Sequence, residues 1–163
     1  MPEQRTRRAA AKDKKEGKSP GTQAGEYVRE ESEHVREGKH GARSTKQAIA
    51  IGLSKARRAG IKAPISKSAS KSTKKKAAQD EAASHRRKQP SRKRSAATKH
   101  VLEKEGHEAA SSSALSSNAK KAAAKRTPKS RSAAAKKAAR TKGSAGRSAA
   151  AKKAARTRAR NAS

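Results

Sequence analysis

Large apolar side chains gather in the first 65 positions of the chain and then thin out. Met1, Tyr27, Val28, Val35, Ile49, Ile51, Leu53, Ile61 and Ile65 lie there, and only Val101, Leu102 and Leu115 follow. Two runs have helical spacing. In TQAGEYVREESEHVREG, Thr22 is an N-cap candidate, Tyr27, Val28 and Val35 recur near the helical period, and Gly38 is a stop signal, so the pattern predicts a helix over 23–37. In STKQAIAIGLSKARRAGI, Ser44 and Gln47 form a capping-box pair, Arg57 and Arg58 fill the last turn and Gly60 follows, which predicts a helix over 45–59. Ile49, Leu53 and Ala56 share one face of that helix, and Gly52 beside them leaves room for another backbone. Joined by GKHGAR, the two helices predict a hairpin domain over 22–65.

Outside the hairpin the pattern fades. Residues 1–21 read as a disordered mixed-charge arm ending in the turn-like Ser19-Pro20-Gly21, and 66–117 as a low-complexity basic linker with a short helix at 92–105. Residues 118–163 form a Lys/Ala-rich tail with an internal repeat. RSAAAKKAART runs from Arg131 to Thr141 and again from Arg147 to Thr157, and a degenerate copy begins at Ala119. The pairs Lys120–Lys121, Lys136–Lys137 and Lys152–Lys153 therefore recur at a spacing of 16 residues, giving three units.

Composition changes what these helices are expected to do. The hydrophobic fraction is 30%, but 37 of those residues are alanine and only 12 are larger. Burying a large aliphatic side chain is worth about 1.5–3 kcal/mol, whereas ordering each residue's backbone costs about 1–2 kcal/mol. The expected fold class is accordingly mostly intrinsically disordered, with a small all-α helical hairpin and transient helices in the tail.

Charge points to a partner. Forty-five Lys and Arg against 13 Asp and Glu leave a formal net charge of +32. A polycation of this density calls for a polyanion, and nucleic acid is the abundant one in cells. On a helix, Lys136, Arg140 and Lys137 fall within an arc of about 100° over an alanine back. The expected phosphate contacts in the tail are Lys120, Lys121, Lys125, Arg126, Arg131, Lys136, Lys137, Arg140, Arg147, Lys152, Lys153 and Arg156. Lys39, Arg43 and Lys46 surround the start of the second helix, where free amides favour an anion, and Gly38-Lys39-His40-Gly41 has the GxxG spacing of a backbone clamp. Tyr27 is the sole aromatic residue, which argues against a base-stacking platform.

The expected function is histone-like, sequence-non-specific binding and compaction of duplex DNA by phosphate neutralisation, in the cytoplasm and on the nucleoid. RNA binding or ribosome association is one alternative. A protein-interaction module, whose hairpin binds a partner through Ile49 and Leu53 while the basic tail localises it, is another, and weak self-association through the same two residues is a further expectation. The start of the chain lacks the apolar core of a secretory signal, and no run of 18 apolar residues suggests a membrane span. No nucleophile, base and orienting acid assemble into a catalytic group, so an enzyme is not expected. Gly17-Lys18-Ser19 lacks the earlier glycine of a phosphate-binding loop. With no cysteine, the sets His34, Glu37, His40 and His100, Glu103, His107 read as solvent-facing, and no metal or cofactor is expected. HRRKQPSRKR, from His85 to Arg94, reads as a further basic patch or, in a nucleated cell, an import signal.

The stretch HVREGKHGARSTKQAIAIGLSKARRAG, His34 to Gly60, resembles the core of a family of small basic proteobacterial proteins whose domain has no assigned function. VLEKEGHEAASSSAL and RSAAAKKAARTKG are similar to the C-terminal halves of the same group, which implies a likeness over 22–163. The family brings no catalytic or binding residues with it. Separately, the tail is similar in composition to linker-histone tails, which implies DNA compaction, although TPK at Thr127 to Lys129 stands alone where linker histones repeat SPKK.

Overall fold

The structure, a computed structural model, describes residues 2–66, 68–85 and 91–162. Among the described residues there are seven α-helices, α1 (Gln4–Lys15), α2 (Pro20–Arg36), α3 (Thr45–Arg58), α4 (Lys71–Ser84), α5 (Arg92–Glu103), α6 (Ser112–Ala124) and α7 (Pro128–Ala162), with a 3-10 turn at Glu108–Ala110. No strand occurs among the described residues. The chain divides into two compact units, Met1–Asn118 and Ala119–Ser163. This ordered helical structure overturns the expectation of a mostly disordered chain with transient tail helices. Counting only large aliphatic residues as anchors left out two sources of order, alanine packing and paired buried acids.

The first unit is built around α2 and α3, with α1 on α2 and α4 on α3. One core cluster joins Ala10 of α1, Ala24 and Tyr27 of α2, Ala56 of α3 and the following Ala63, with Leu53 and Ile61 against it. A second joins Val35, Ala42, Ala48, Ala109 and Ala110. Eight of these twelve side chains are single methyl groups, so the helices can approach closely and make many short-range dispersion contacts. At Gly52 the approach becomes backbone on backbone: a Cβ there would stand 2.7 Å from Val28 Cα and 3.0 Å from the Tyr27 carbonyl oxygen.

Both hairpin helices lie near their expected positions, with one shifted boundary. Helix α2 starts at Pro20, because Ser19 caps it by accepting from the Thr22 amide while Pro20 supplies a preset φ at the first helical position. Half of the capping pair of α3 forms as the spacing implies, and the return bond reaches one residue further, to Arg43 instead of Ser44. Ser44 Oγ accepts from the Gln47 amide, and Gln47 Oε1 accepts from the amide of Arg43.

The arm and the linker contain structure that the sequence reading assigned to disorder. Thr6, Ala10 and Asp13 are buried along one face of α1 at i, i+4 and i+7, and the short link to α2 is closed by Lys18, which bonds Asp13 at 2.6 Å. Beyond Pro64, α4 buries Ala77 and Asp80. Asp80 Oδ2 accepts from Ser54 at 2.7 Å, and Oδ1 accepts from Arg58 at 3.0 Å and Lys76 at 2.7 Å, which fastens α4 to α3. Helix α5 lies at the position of the expected 92–105 helix and buries no residue.

In the second unit, α6 ends at Ala124 and α7 begins at Pro128, with Thr127 Oγ1 accepting from the Ser130 amide. The lone TPK thus serves as a helix start, the same device as Ser19-Pro20. Helix α7 breaks at Gly143 (φ 63°, ψ 175°), so its two repeat units lie on separate helical arms. Helical arms in the free tail accord with its composition, because alanine, lysine and arginine rank among the best helix formers. A like-charged i,i+4 pair opposes that preference by only about 0.2–0.5 kcal/mol.

Two expectations follow. Gly52→Ala forces a methyl group into the Val28 backbone and should lower stability by about 1–3 kcal/mol in chemical denaturation; an unchanged midpoint would contradict the contact. Burial raises the Asp80 carboxyl, but hydrogen bonds from Lys76, Ser54 and Arg58 outweigh it and hold the group below its ordinary value of 3.8. A depressed folded-state pKa gives stability that is full above 3.8 and is lost as pH falls through the lower folded value. The stability gap between wild type and Asp80→Asn should therefore shrink as pH drops from about 5 to about 2, and a gap independent of pH would exclude the ionised contact.

Candidate phosphate contacts and an acid–histidine cluster

The tail cations are presented to solvent. Lys120, Lys121, Lys125, Arg126, Arg131, Lys136, Lys137, Arg140, Arg147, Lys152, Lys153 and Arg156 are all exposed. No Asp or Glu occurs from Asn118 onward, so the tail supplies no carboxylate to neutralise them. Lys120 and Lys121 sit on α6, Lys125 and Arg126 in the turn after it, and the others on α7. A 16-residue step along a straight helix would rotate the next cationic face by about 160°, nearly to the opposite side. The break at Gly143 frees the two arms of α7 from that phase. Arg147 also has an internal contact, donating to the Ala139 carbonyl at 2.7 Å across the break.

The GxxG loop packs against another part of the chain. Gly38 ends α2 with φ 73°. Gly41 lies against the chain's own segment after α5, where a Cβ would be 1.8 Å from the Glu105 carbonyl oxygen. The Gly41 amide donates to the Leu102 carbonyl at 2.8 Å and the Ala42 amide to the Gly106 carbonyl at 2.9 Å. Thr45 Oγ1 donates to the Ala109 carbonyl at 2.7 Å, and His107 Nδ1 lies 3.0 Å from the Val35 carbonyl oxygen. The loop is thus a docking seat for residues 102–110.

Of the three cations around this loop, Lys39 pairs with Glu37 at 2.9 Å and Glu3 at 3.3 Å. The hydrogen bond to Glu37, followed by that to Glu3, raises its pKa against the opposing effect of desolvation. Arg43 and Lys46 are exposed, and no ion pair is found for them among the described residues. Leu53 packs partly buried against the first core cluster, and Ile49 is half-buried. In the basic patch expected at 85–94, residues 86–90 lie outside the described residues.

The histidine sets regroup. His34 and His40 meet Glu31, and one ligand atom from each of the three lies within 4.8 Å of the others. Glu37, which the histidines flank in sequence, is drawn away to Lys39. His107 docks on Val35 as described, and His100 is exposed. Glu31 is fully buried. Its Oε2 accepts from Lys55 of α3, while Oε1 has no hydrogen bond and lies 3.3 Å from His40 Nε2. Neighbouring Glu30 is also buried, and its Oε1 accepts from the Glu3 amide at 3.2 Å. Glu3 completes the surround, its Oε1 standing 2.9 Å from His34 Nε2. Hydrogen bonds with His34 and then Lys39 lower the Glu3 pKa. The sequence carried a signal for this cluster, since Ala24, Tyr27, Glu31 and Val35 form one buried stripe of α2 in which an acid is out of place.

Residues 5–67 match a family of unknown function (DUF6496). That match spans α1 from its second residue, α2, the GxxG loop and α3, and it ends before α4. It therefore includes the N-terminal arm that the resemblance over 22–163 had left out, and it stops short of the tail. No curated protein and no solved structure matches the chain, and the linker-histone likeness of the tail finds no counterpart in these comparisons.

Gly41→Ala should detach residues 102–110 from the α2–α3 loop, because the new methyl group would overlap the Glu105 carbonyl. Amide hydrogen exchange at Ala42 should rise about tenfold or more, as expected where a local opening is eased by at least 1.4 kcal/mol; retained protection would exclude the docking.

Proposed function

We propose that this protein binds duplex DNA without sequence preference and compacts it, in the manner of a histone-like, nucleoid-associated protein. The observation that carries this reading is the segregation of charge. Sixteen Lys and Arg and no acid occupy Asn118–Ser163, and the twelve tail residues named above are exposed. Lysine and arginine on an alanine-backed helix address phosphate oxygens, and the repeat lacks the Asn, Gln or aromatic residues that read base edges. Attachment through three repeat units separated by turns favours bridging of duplexes over one tight footprint.

The test is affinity for a mixed-sequence duplex as a function of salt. If about eight tail cations meet phosphates, log affinity should fall against log salt with a slope of about −7. Replacing Lys136, Lys137 and Arg140 by Gln should flatten that slope by about 3, uniformly across DNA sequences. An unchanged slope would remove the tail from the interface, and a large preference for structured RNA at matched salt would favour the RNA-binding alternative.

A further inference from the structure

We propose that Glu31, His34 and His40 bind one divalent transition-metal ion, with zinc the best chemical match. Two imidazoles and one carboxylate form a common three-ligand zinc set, which leaves a fourth position for water. Glu31 has one oxygen without a hydrogen-bond partner. This side chain is 0% exposed, one oxygen is engaged by Lys55, and Oε1 is left without a hydrogen bond. An unpaired buried carboxylate oxygen is costly, and a cation beside it removes that cost.

The geometry around Oε1 fits a metal shell. His40 Nδ1 lies 3.1 Å from the Gly41 carbonyl oxygen, and a carbonyl can only accept, so Nδ1 carries the hydrogen. Nε2 is then the ring atom that faces Glu31 Oε1, 3.3 Å away, and a cation held between them would engage the lone pairs of both atoms. Donor atoms on a tetrahedral ion with bonds of about 2.0–2.1 Å stand about 3.4 Å apart, close to the observed separation. The outer contacts also suit ligating imidazoles, which characteristically donate their second N–H to a carbonyl or carboxylate. The Gly41 carbonyl does so for His40, and Glu3 Oε1, 2.9 Å from Nε2, does so for His34. His34 and His40 keep 13% and 15% exposure, which gives the ion a way in. A bound ion would clamp α2 to the loop that leads into α3.

Titrating the full-length protein with Co²⁺ alone, read by visible d–d absorption, tests this. The expected result is one Co²⁺ per chain with the intense absorption of a four-coordinate site, displaced by one equivalent of Zn²⁺. Uptake should fall at least a hundredfold in affinity in both His40→Gln and His34→Gln, each shown to be folded by circular dichroism, and should persist in His100→Gln. Because His34 lies at the edge of the unit, His34→Gln decides the matter if His40→Gln fails to fold. No uptake by the wild type would overturn the proposal. Uptake unchanged in His34→Gln, or lost in His100→Gln, would overturn it as well. DNA affinity is not part of the readout, so failure here leaves the nucleic-acid proposal untouched.

Discussion

Helices α2 and α3 meet at Gly52, where the second helix has no side chain and the first presents the backbone of Tyr27 and Val28. The rest of the folded unit depends on that approach. It brings alanine faces close enough for methyl groups to serve as a core, which a chain with so few large apolar residues requires. It also sets Lys55 of α3 against Glu31 of α2, so that a buried carboxylate is partnered across the interface. Helix α1 then covers α2, α4 covers α3, and residues 102–110 close the open end of the hairpin at Gly41.

Acidic residues are scarce in this chain, and the structure uses them mainly as internal fasteners. Glu31 joins α2 to α3, Asp80 joins α4 to α3, and Glu3 ties the start of α1 to His34 and Lys39. Spent this way, they offset basic charge inside the first unit and leave the tail unopposed. In the proposed function this division matters, because a tail carrying its own acids would neutralise the groups meant for phosphate. The acid–histidine cluster stands apart from that function and rests on its own geometry.

The sequence showed the hairpin most clearly because its signals were local. Ser44 and Gln47 three residues apart, Gly60 after a basic turn, and Gly52 on an apolar face each imply a short-range contact without knowledge of the fold. The arm and the linker escaped notice because their buried stripes are made of Thr6, Ala10 and Asp13, and of Ala77 and Asp80. Such residues look solvent-facing until a partner helix supplies their hydrogen bonds. At the GxxG spacing two glycines announce a close approach, and only the fold reveals that the approaching backbone is residues 105–106. Likewise His34 and His40 were visible as a pair, but their acid proved to be Glu31, one helical turn earlier and inside, instead of Glu37 between them.

Alanine contacts and buried acid pairs, with few large apolar residues, hold the free chain in a defined helical fold. Residue-resolved amide hydrogen exchange of the full-length protein without nucleic acid addresses it directly. The account predicts the strongest protection at Ala24–Val35 and Ala48–Ala56, where α2 and α3 face each other, with weaker protection through α1 and α4 and the least in the exposed arms of α7. Exchange at the rate of an unstructured chain across α2 and α3 would contradict it.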